Sequence, residues 1–432
     1  MFTKEKASGK YILAGMGIFA CMGTIYSWSV FRKPLEDLMG IGATESGWPY
    51  ILFLCFYALG MPLGGGLIEK FGPRVTTLMG GTILSLAWFA SGSADTISTL
   101  SLTYGVLGGT GVGLVYGAPL AVAARWFPRK KGLAVGCTLA GFGVSPFVTA
   151  PLALQLIERF GVMVTFRIFG IIFFICITGL ALFLKFPQAD EKQEENSVAA
   201  ASQSAGILSL LRCWQFYGLW TCYAAGTFSG LMAISVTSPV AQEIIHLGPK
   251  AAALTVSSFA LFNALGRPLF GFLTDRFGAR LSISAVFLLI LSASGALLLA
   301  ESGDVVIYFG AFSLLWLALG GWLAIAPVAT ADLFGALRYC RNYGFVFTAY
   351  GVGALAGGLA SGLAKDLFGS YQYAFFATAF LAVMGMLVNL ALIPGKASFD
   401  QARKNGSARS APHNRREHAN LMNRLLANQR AD

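Results

Sequence analysis

The sequence predicts an all-α membrane protein in which twelve transmembrane helices form two six-helix, pseudo-symmetric halves. Three observations predict it. The chain of 432 residues is 56% hydrophobic and 12% charged with a mean hydropathy of +0.67, far from the balance of a soluble domain. Apolar stretches long enough to cross a bilayer recur along it. A polar segment divides these stretches six and six, and one short motif follows the second stretch of each half.

Taken in order, the apolar segments run over 11–31, 46–68, 76–94, 99–123, 131–157, 163–185, 213–240, 252–273, 280–300, 305–331, 342–364 and 371–394. They lack the period-2 alternation of a membrane barrel, so helices are the expected solution to backbone hydrogen bonding in lipid. Lys4, Lys6 and Lys10 precede the first segment as in a signal peptide, but it is too long and leads straight into further spans. It reads as an uncleaved first helix. Residues 1–185 are then the N-terminal half, 186–212 a cytoplasmic linker, 213–395 the C-terminal half and 396–432 a basic cytoplasmic tail.

With both termini cytoplasmic, 24 of the 31 Lys and Arg fall on the cytoplasmic side, six on the other, and Arg267 remains in the membrane. The positive-inside rule therefore accounts for the net charge of +11, and the partner it implies is the lipid bilayer, not nucleic acid. The expected setting is a bacterial inner or plasma membrane, with the protein acting as a monomer. Cys21, Cys55, Cys137, Cys176, Cys213, Cys222 and Cys340 have no paired spacing, and His246, His413 and His418 form no cluster. Neither a structural metal nor a cofactor is expected.

The string GGLIEKFGPR at 65–74 recurs as GFLTDRFGAR at 271–280, with an acid, a base, Phe, Gly and Arg in register. Arg125, Trp126, Phe127 and Pro128 correspond, at nearly the same shift, to Asp332, Leu333, Phe334 and Gly335. Internal duplication of this kind is typical of secondary transporters. Two six-helix halves, a central polar loop and this repeated motif resemble the major facilitator superfamily over residues 10–395. Finer strings are similar to the oxalate/formate antiporter family and its monocarboxylate-carrier relatives: Tyr26-Ser27-Trp28, Tyr116-Gly117, Arg125-Trp126-Phe127-Pro128, Arg267-Pro268 and Arg341-Asn342-Tyr343-Gly344.

The repeated loops place Glu69 and Asp275 in tight turns beside basic residues, with Arg125 and Arg338 or Arg341 as expected partners. The resemblance implies that these groups, with Arg74, Arg276, Arg280 and Asp332, latch the closed cytoplasmic side as switching salt bridges. The alternative is that they only orient the loops. Small-residue stripes let helices approach closely: Gly105, Gly109, Gly113 and Gly117 on segment 4, Gly132, Gly136 and Gly141 on segment 5, and Gly351, Gly353, Gly357 and Gly358 on segment 11.

Arg267 is the most informative residue. The next charge, Asp275, is eight residues on, so Arg267 sits about 12 Å deeper along a helix and snorkelling barely reaches the interface. No Asp or Glu lies well inside any apolar segment, so the partner anion is expected to be the substrate. A guanidinium offers a rigid fork of donors to a carboxylate and stays charged. Asn263, four residues earlier, shares its helical face and either steadies the arginine or meets the substrate. Pro268 removes a backbone bond to Ala264, so a kink is expected there. Tyr26, Trp28, Tyr116, Trp322, Phe347 and Tyr350 are candidates for the cavity lining, with hydroxyls as donors and rings to exclude water.

Two departures from the resemblance sharpen the expectation. Animal monocarboxylate carriers hold an aspartate four residues before the arginine, thought to carry the coupled proton, and here that residue is Asn263. Oxalate-carrying members hold a lysine nine residues after the Arg341 position, and here that residue is Tyr350. One arginine suits a monoanion better than a dianion. The expected function is a secondary transporter of a small monocarboxylate, working by alternating access as an anion exchanger, because an empty site with an unpaired buried cation resists crossing. Oxalate or dicarboxylate exchange, proton-coupled symport and a transporter-like carboxylate sensor are the alternatives. An enzyme is not expected, since no carboxylate pair or activated nucleophile lies within the spans.

Overall fold

The computed structural model describes residues 2–187, 210–301, 303–335 and 339–395. Apolar side chains drive these residues into lipid, where the backbone satisfies itself by forming helices. In chain order these are α1 (Phe2–Met22), α2 (Trp28–Met39), α3 (Ala43–Ser91), α4 (Ile97–Leu100), α5 (Gly109–Trp126), α6 (Lys131–Phe160) and α7 (Val162–Ala181). After the linker come α8 (Trp214–Glu243), α9 (Pro249–Phe277), α10 (Ala279–Leu299), α11 (Val305–Phe334), α12 (Tyr339–Phe368) and α13 (Ala374–Leu392). Most of the expected linker, and the whole of the expected tail, lie outside the described residues.

Ten helices are each long and apolar enough to cross a membrane. Two of the chain's irregularities bring the spans to twelve. The apolar part of α3 covers 47 residues, roughly 70 Å if straight, which is twice a bilayer core. Gly72, with φ 77° and ψ 171°, breaks it into the second and third spans. The other irregularity is the first span, predicted as one helix over 11–31. It is instead α1 and α2 joined through a 3-10 turn at Gly23–Ser27 and bent by 57°. Tyr26 sits in that turn. α9 holds Pro268 inside one continuous helix.

Gly278 repeats the Gly72 break between α9 and α10, with φ 86° and ψ 166°. Both positions have positive φ, which an L side chain adopts only with strain. Each is followed by an arginine that ties its own half together. Arg74 donates to the Leu182 carbonyl at 2.6 Å and Arg280 to the Leu390 carbonyl at 2.7 Å. The bundle end carrying these breaks is called the loop end below.

Two helix pairs make most of the contact between the halves, α6 with α9 and α12 with α3. In the first seam a Cβ on Gly132 would lie 2.2 Å from the Gly271 carbonyl oxygen, and one on Gly136 2.3 Å from that of Arg267. In the second, a Cβ on Gly65 would lie 2.4 Å from the Cys340 carbonyl oxygen, and one on Gly344 2.6 Å from that of Met61. The backbones touch because no side chain separates them. Gly105, Gly109 and Gly113 instead pack against α3 within the N-terminal half, and Gly353 and Gly357 against α8 within the C-terminal half. Their stripes consolidate each half, while Gly136 and Gly344 sit between halves.

Candidate anion site

Arg267 lies at the centre of the α6–α9 seam and is the only charged side chain among the buried described residues. Its Nη1 donates to the Leu139 carbonyl on α6 at 2.7 Å. Its Nε and Nη2 donate to Asn263 Oδ1 at 3.2 and 2.9 Å. Asn263 is held in turn by its own amide, which donates to the Trp316 carbonyl at 3.2 Å. The steadying role open to Asn263 is therefore the one its geometry displays. Three of the five guanidinium N–H groups are used by these neutral acceptors. Arg267 forms no ion pair with an acid among the described residues, so its charge stays uncompensated there. The picture of a wholly unpaired cation in the empty site is thus corrected to one hydrogen-bonded by neutral groups of both halves.

Aromatic side chains surround this fork. Phe142 lies under the guanidinium, its ring centre 5.4 Å from Cζ, as in a cation–π contact. The Tyr26 and Tyr116 hydroxyls lie in the field of the arginine. Tyr26 shares a 3.0 Å hydrogen bond with the Tyr350 hydroxyl, which links the 3-10 turn of one half to α12 of the other. Phe347 packs 4.9 Å from Tyr350 and 5.2 Å from Tyr116. Trp322 stands one layer behind, 5.9 Å from Tyr223, with its indole Nε1 pressed on Gly226 and no hydrogen-bond partner. Trp28 is elsewhere: it donates to the Ser46 carbonyl at 3.2 Å and stacks 4.5 Å from Tyr104, inside the N-terminal half.

At the loop end Asp275 and Asp332 make contacts across the seam. Asp275 accepts hydrogen bonds from the Gly132 and Leu133 backbone N–H groups, at 2.9 and 3.0 Å, and so caps the first turn of α6 across the seam. A carboxylate is favoured there by the unpaired N–H groups and the helix dipole. Lys131 pairs with Asp332, also between halves. Arg125 rests over the Phe186 ring at 3.8 Å and Arg276 over Phe277 at 5.6 Å. Glu69 is exposed, Arg341 has a buried Nε without a hydrogen-bond partner, and Arg338 lies outside the described residues. Arg74 and Arg280 act within halves, as described above. Asp275 and Asp332 thus both make cross-half contacts, the latter with Lys131, which the motif did not single out.

The chain matches the Major Facilitator Superfamily over residues 13–256 and 219–429, which together cover most of its length. It belongs to the Major Facilitator Superfamily. Among known proteins, this superfamily member is 32% identical to the oxalate:formate antiporter of Oxalobacter formigenes over 385 residues, covering 87% of this chain and 90% of that one. It is 26% identical to apicoplast pyruvate carrier 1 of Toxoplasma gondii, covering 78% and 80% of the two chains. Monocarboxylate transporter 12 of Xenopus laevis is 24% identical, with 84% of each chain covered. The structure of the proton:xylose symporter XylE aligns with a TM-score of 0.69 at 13% identity, over 91% of this chain and 97% of that one. That likeness shows the twelve-helix fold.

The superfamily repeat also exposes residues that the sequence reading passed over. Extending the register of the two loop motifs backwards places Met61 opposite Arg267 and Tyr57 opposite Asn263. Tyr57 is fully in the ring shell, 5.2 Å from Tyr116, 4.9 Å from Phe347 and 5.7 Å from Tyr350. Phe142, Tyr223 and Tyr343 join the same shell. Aligning the repeat outward from the motif was the available signal for Tyr57. Nothing in a chain with 35 Phe and 14 Tyr distinguishes the others before folding.

Proposed function

We propose that this superfamily member carries a small organic anion, a monocarboxylate first of all, by alternating access, and that it works as an exchanger. The observation that carries this reading is Arg267, the one buried charge among the described residues, held by neutral acceptors and walled by tyrosine hydroxyls. A carboxylate arriving at the fork meets its remaining donors and competes for those now given to Leu139 and Asn263. Because Leu139 belongs to the opposite half, occupancy of the fork and the fit of the seam are coupled. The halves, residues 1–185 and 213–395, then rock about the site, with Asp275 and Asp332 latching the loop end. By the distribution of Lys and Arg, that end faces the cytoplasm.

Exchange follows from the charge. Without a bound anion, Arg267 crosses as an uncompensated cation, and burying an unpaired ion costs several kcal/mol. Asn263 supplies no titratable group to relieve it. The relatives named for pyruvate and monocarboxylates support a monoanion. Oxalate exchange is the second reading, favoured by the 32% identity to the oxalate:formate antiporter, but Tyr350 offers a dianion no second cation.

The test is transport by purified protein in liposomes, with radiolabelled formate, acetate, lactate, pyruvate and oxalate. Counterflow into preloaded vesicles is expected to exceed net uptake by at least about tenfold. Equal rates in both modes sink the exchanger. Tyr350→Lys is expected to shift preference toward oxalate; an unchanged preference removes Tyr350 from the substrate's surroundings.

A further inference from the structure

A row of tyrosines leads from the Arg267 site toward the loop end, and several of its hydroxyls have no role in packing. Tyr339, Tyr343, Phe347 and Tyr350 fall three or four residues apart on α12 and share one face. Their rings form a ladder with centroid steps of 5.9, 5.7 and 4.9 Å. At its top Tyr350 bonds Tyr26 beside the arginine. Further down, Tyr223 on α8 lies toward Tyr343, and Tyr116 on α5 packs against Phe347. Phe347 stands between the two groups, 5.2 Å from Tyr116, 6.0 Å from Tyr223 and 5.7 Å from Tyr343.

The Tyr339 hydroxyl has no hydrogen-bond partner, and those of Tyr223 and Tyr343 have none beyond one another. Their residues are 4, 0 and 0% exposed. A buried hydroxyl without a partner is destabilising, and phenylalanine fills the same volume without that penalty. Three neighbouring tyrosines therefore point to an acceptor that arrives during the working cycle. An ionised carboxylate is acceptor-only and matches a set of O–H donors. Neutral donors also hold it less firmly than a guanidinium, as a site that must release its ligand requires.

We propose that Tyr223, Tyr339 and Tyr343 form a second carboxylate station, lying between the Arg267 site and the loop end and entered past the Phe347 ring. The station rests on the carboxylate-carrier reading above. In this structure the way onward is shut where Gly65 meets the Cys340 backbone. When the α3–α12 seam opens, the anion leaves Arg267 for these hydroxyls and departs from them.

The test compares wild type, Tyr223→Phe/Tyr343→Phe and Arg267→Gln in liposomes and in detergent. Its probes are radiolabelled formate and oxalate, and it reads exchange rate, equilibrium binding and unfolding temperature. The double variant is expected to exchange about tenfold more slowly, with equilibrium affinity changed less than twofold and an unfolding temperature equal to or above wild type. Arg267→Gln is expected to lose both binding and exchange. Unchanged exchange in the double variant overturns the station. So does an equal loss of affinity and rate, which puts the hydroxyls in the Arg267 site, or a lowered unfolding temperature, which makes them structural. A wild type that moves neither probe nor any other carboxylate tested fails the carrier reading itself, a result separable from failure of the station alone.

Discussion

The two seams between the halves have the same backbone and different chemistry. The contacts pair Gly132 and Gly136, which touch Gly271 and Arg267, with Cys340 and Gly344, which touch Gly65 and Met61, the counterparts of Gly271 and Arg267 in the loop-motif register. Further in, Gly143 against Ala264 is matched by Gly351 against Ala58. Along the α6–α9 seam the side chains include Arg267, Asn263 and Phe142; along the α3–α12 seam their counterparts are Met61, Tyr57 and Tyr350. A symmetric pair of close contacts is what rocking halves need. A single charge between them gives the site one electrostatic pole, and the neutral seam completes it with rings and hydroxyls.

The sharpest way to break this comparison is to treat the paired positions alike. Arg267→Gln removes the only buried charge among the described residues and is expected to lower exchange by more than a hundredfold, since losing a buried ionic partner costs about 3–5 kcal/mol. Met61→Leu, its counterpart, conserves volume and is expected to change the rate by less than about twofold. Initial exchange rates in liposomes decide it. Comparable losses at the two positions mean that the seams are not chemically distinct.

The same contrast explains what could be read before folding. The spans, the duplication and Arg267 were legible because hydropathy, the loop motif and an unaccompanied cation are each local to the sequence. The partners of that cation were not. Leu139 contributes a backbone carbonyl, which every residue has, and only the close approach at Gly136 brings it within 2.7 Å of Nη1. The Asp275 bond to the start of α6 was hidden for the same reason, because its donors are backbone N–H groups. A motif search finds charged side chains and passes over backbone donors and acceptors. The bend at Gly23–Ser27 sits inside an uninterrupted apolar run, so hydropathy alone passes through it.

The symmetric part of the comparison predicts equal effects. Alanine at Gly136 brings a Cβ 2.3 Å from the Arg267 carbonyl oxygen, and alanine at Gly344 brings one 2.6 Å from that of Met61. Neither backbone is free to yield, so each substitution is expected to destabilise the loop-closed state by about 1–3 kcal/mol. Exchange should fall by roughly ten- to thirtyfold in each, with the two within about threefold of one another. A large loss at Gly136 alone locates the sensitivity in the arginine's setting and ends the argument from paired backbones.

The loop end offers a smaller, directional contrast. Asp275 caps α6 across the seam, while Glu69, its counterpart, is exposed. Removing a charged helix cap costs about 1–2 kcal/mol. Asp275→Ala should therefore make the loop end open about tenfold more often, and Glu69→Ala less than about threefold. The Cys340 thiol, 2% exposed where α12 meets α3, reports the opening by its alkylation rate, read by peptide mass spectrometry. A Cys340 rate unmoved by Asp275→Ala means that the cap does not hold this end shut.

The smallest expected effect makes the seams more alike. Tyr350 is the counterpart of Phe142, and its hydroxyl is the one group on that α12 face shown bonding to the opposite half, through Tyr26 at 3.0 Å. Tyr350→Phe keeps the ring contact with Phe347 and deletes only this bond, worth about 0.5–1.5 kcal/mol. If the bond serves mainly to join the halves, the variant should exchange two- to tenfold differently from wild type, while affinity for formate stays within about twofold. If the hydroxyl serves the anion instead, affinity falls along with rate. Tyr26→Phe deletes the same bond from the other side, so the double variant tells the two apart: a shared bond is lost once, and the second substitution then adds nothing.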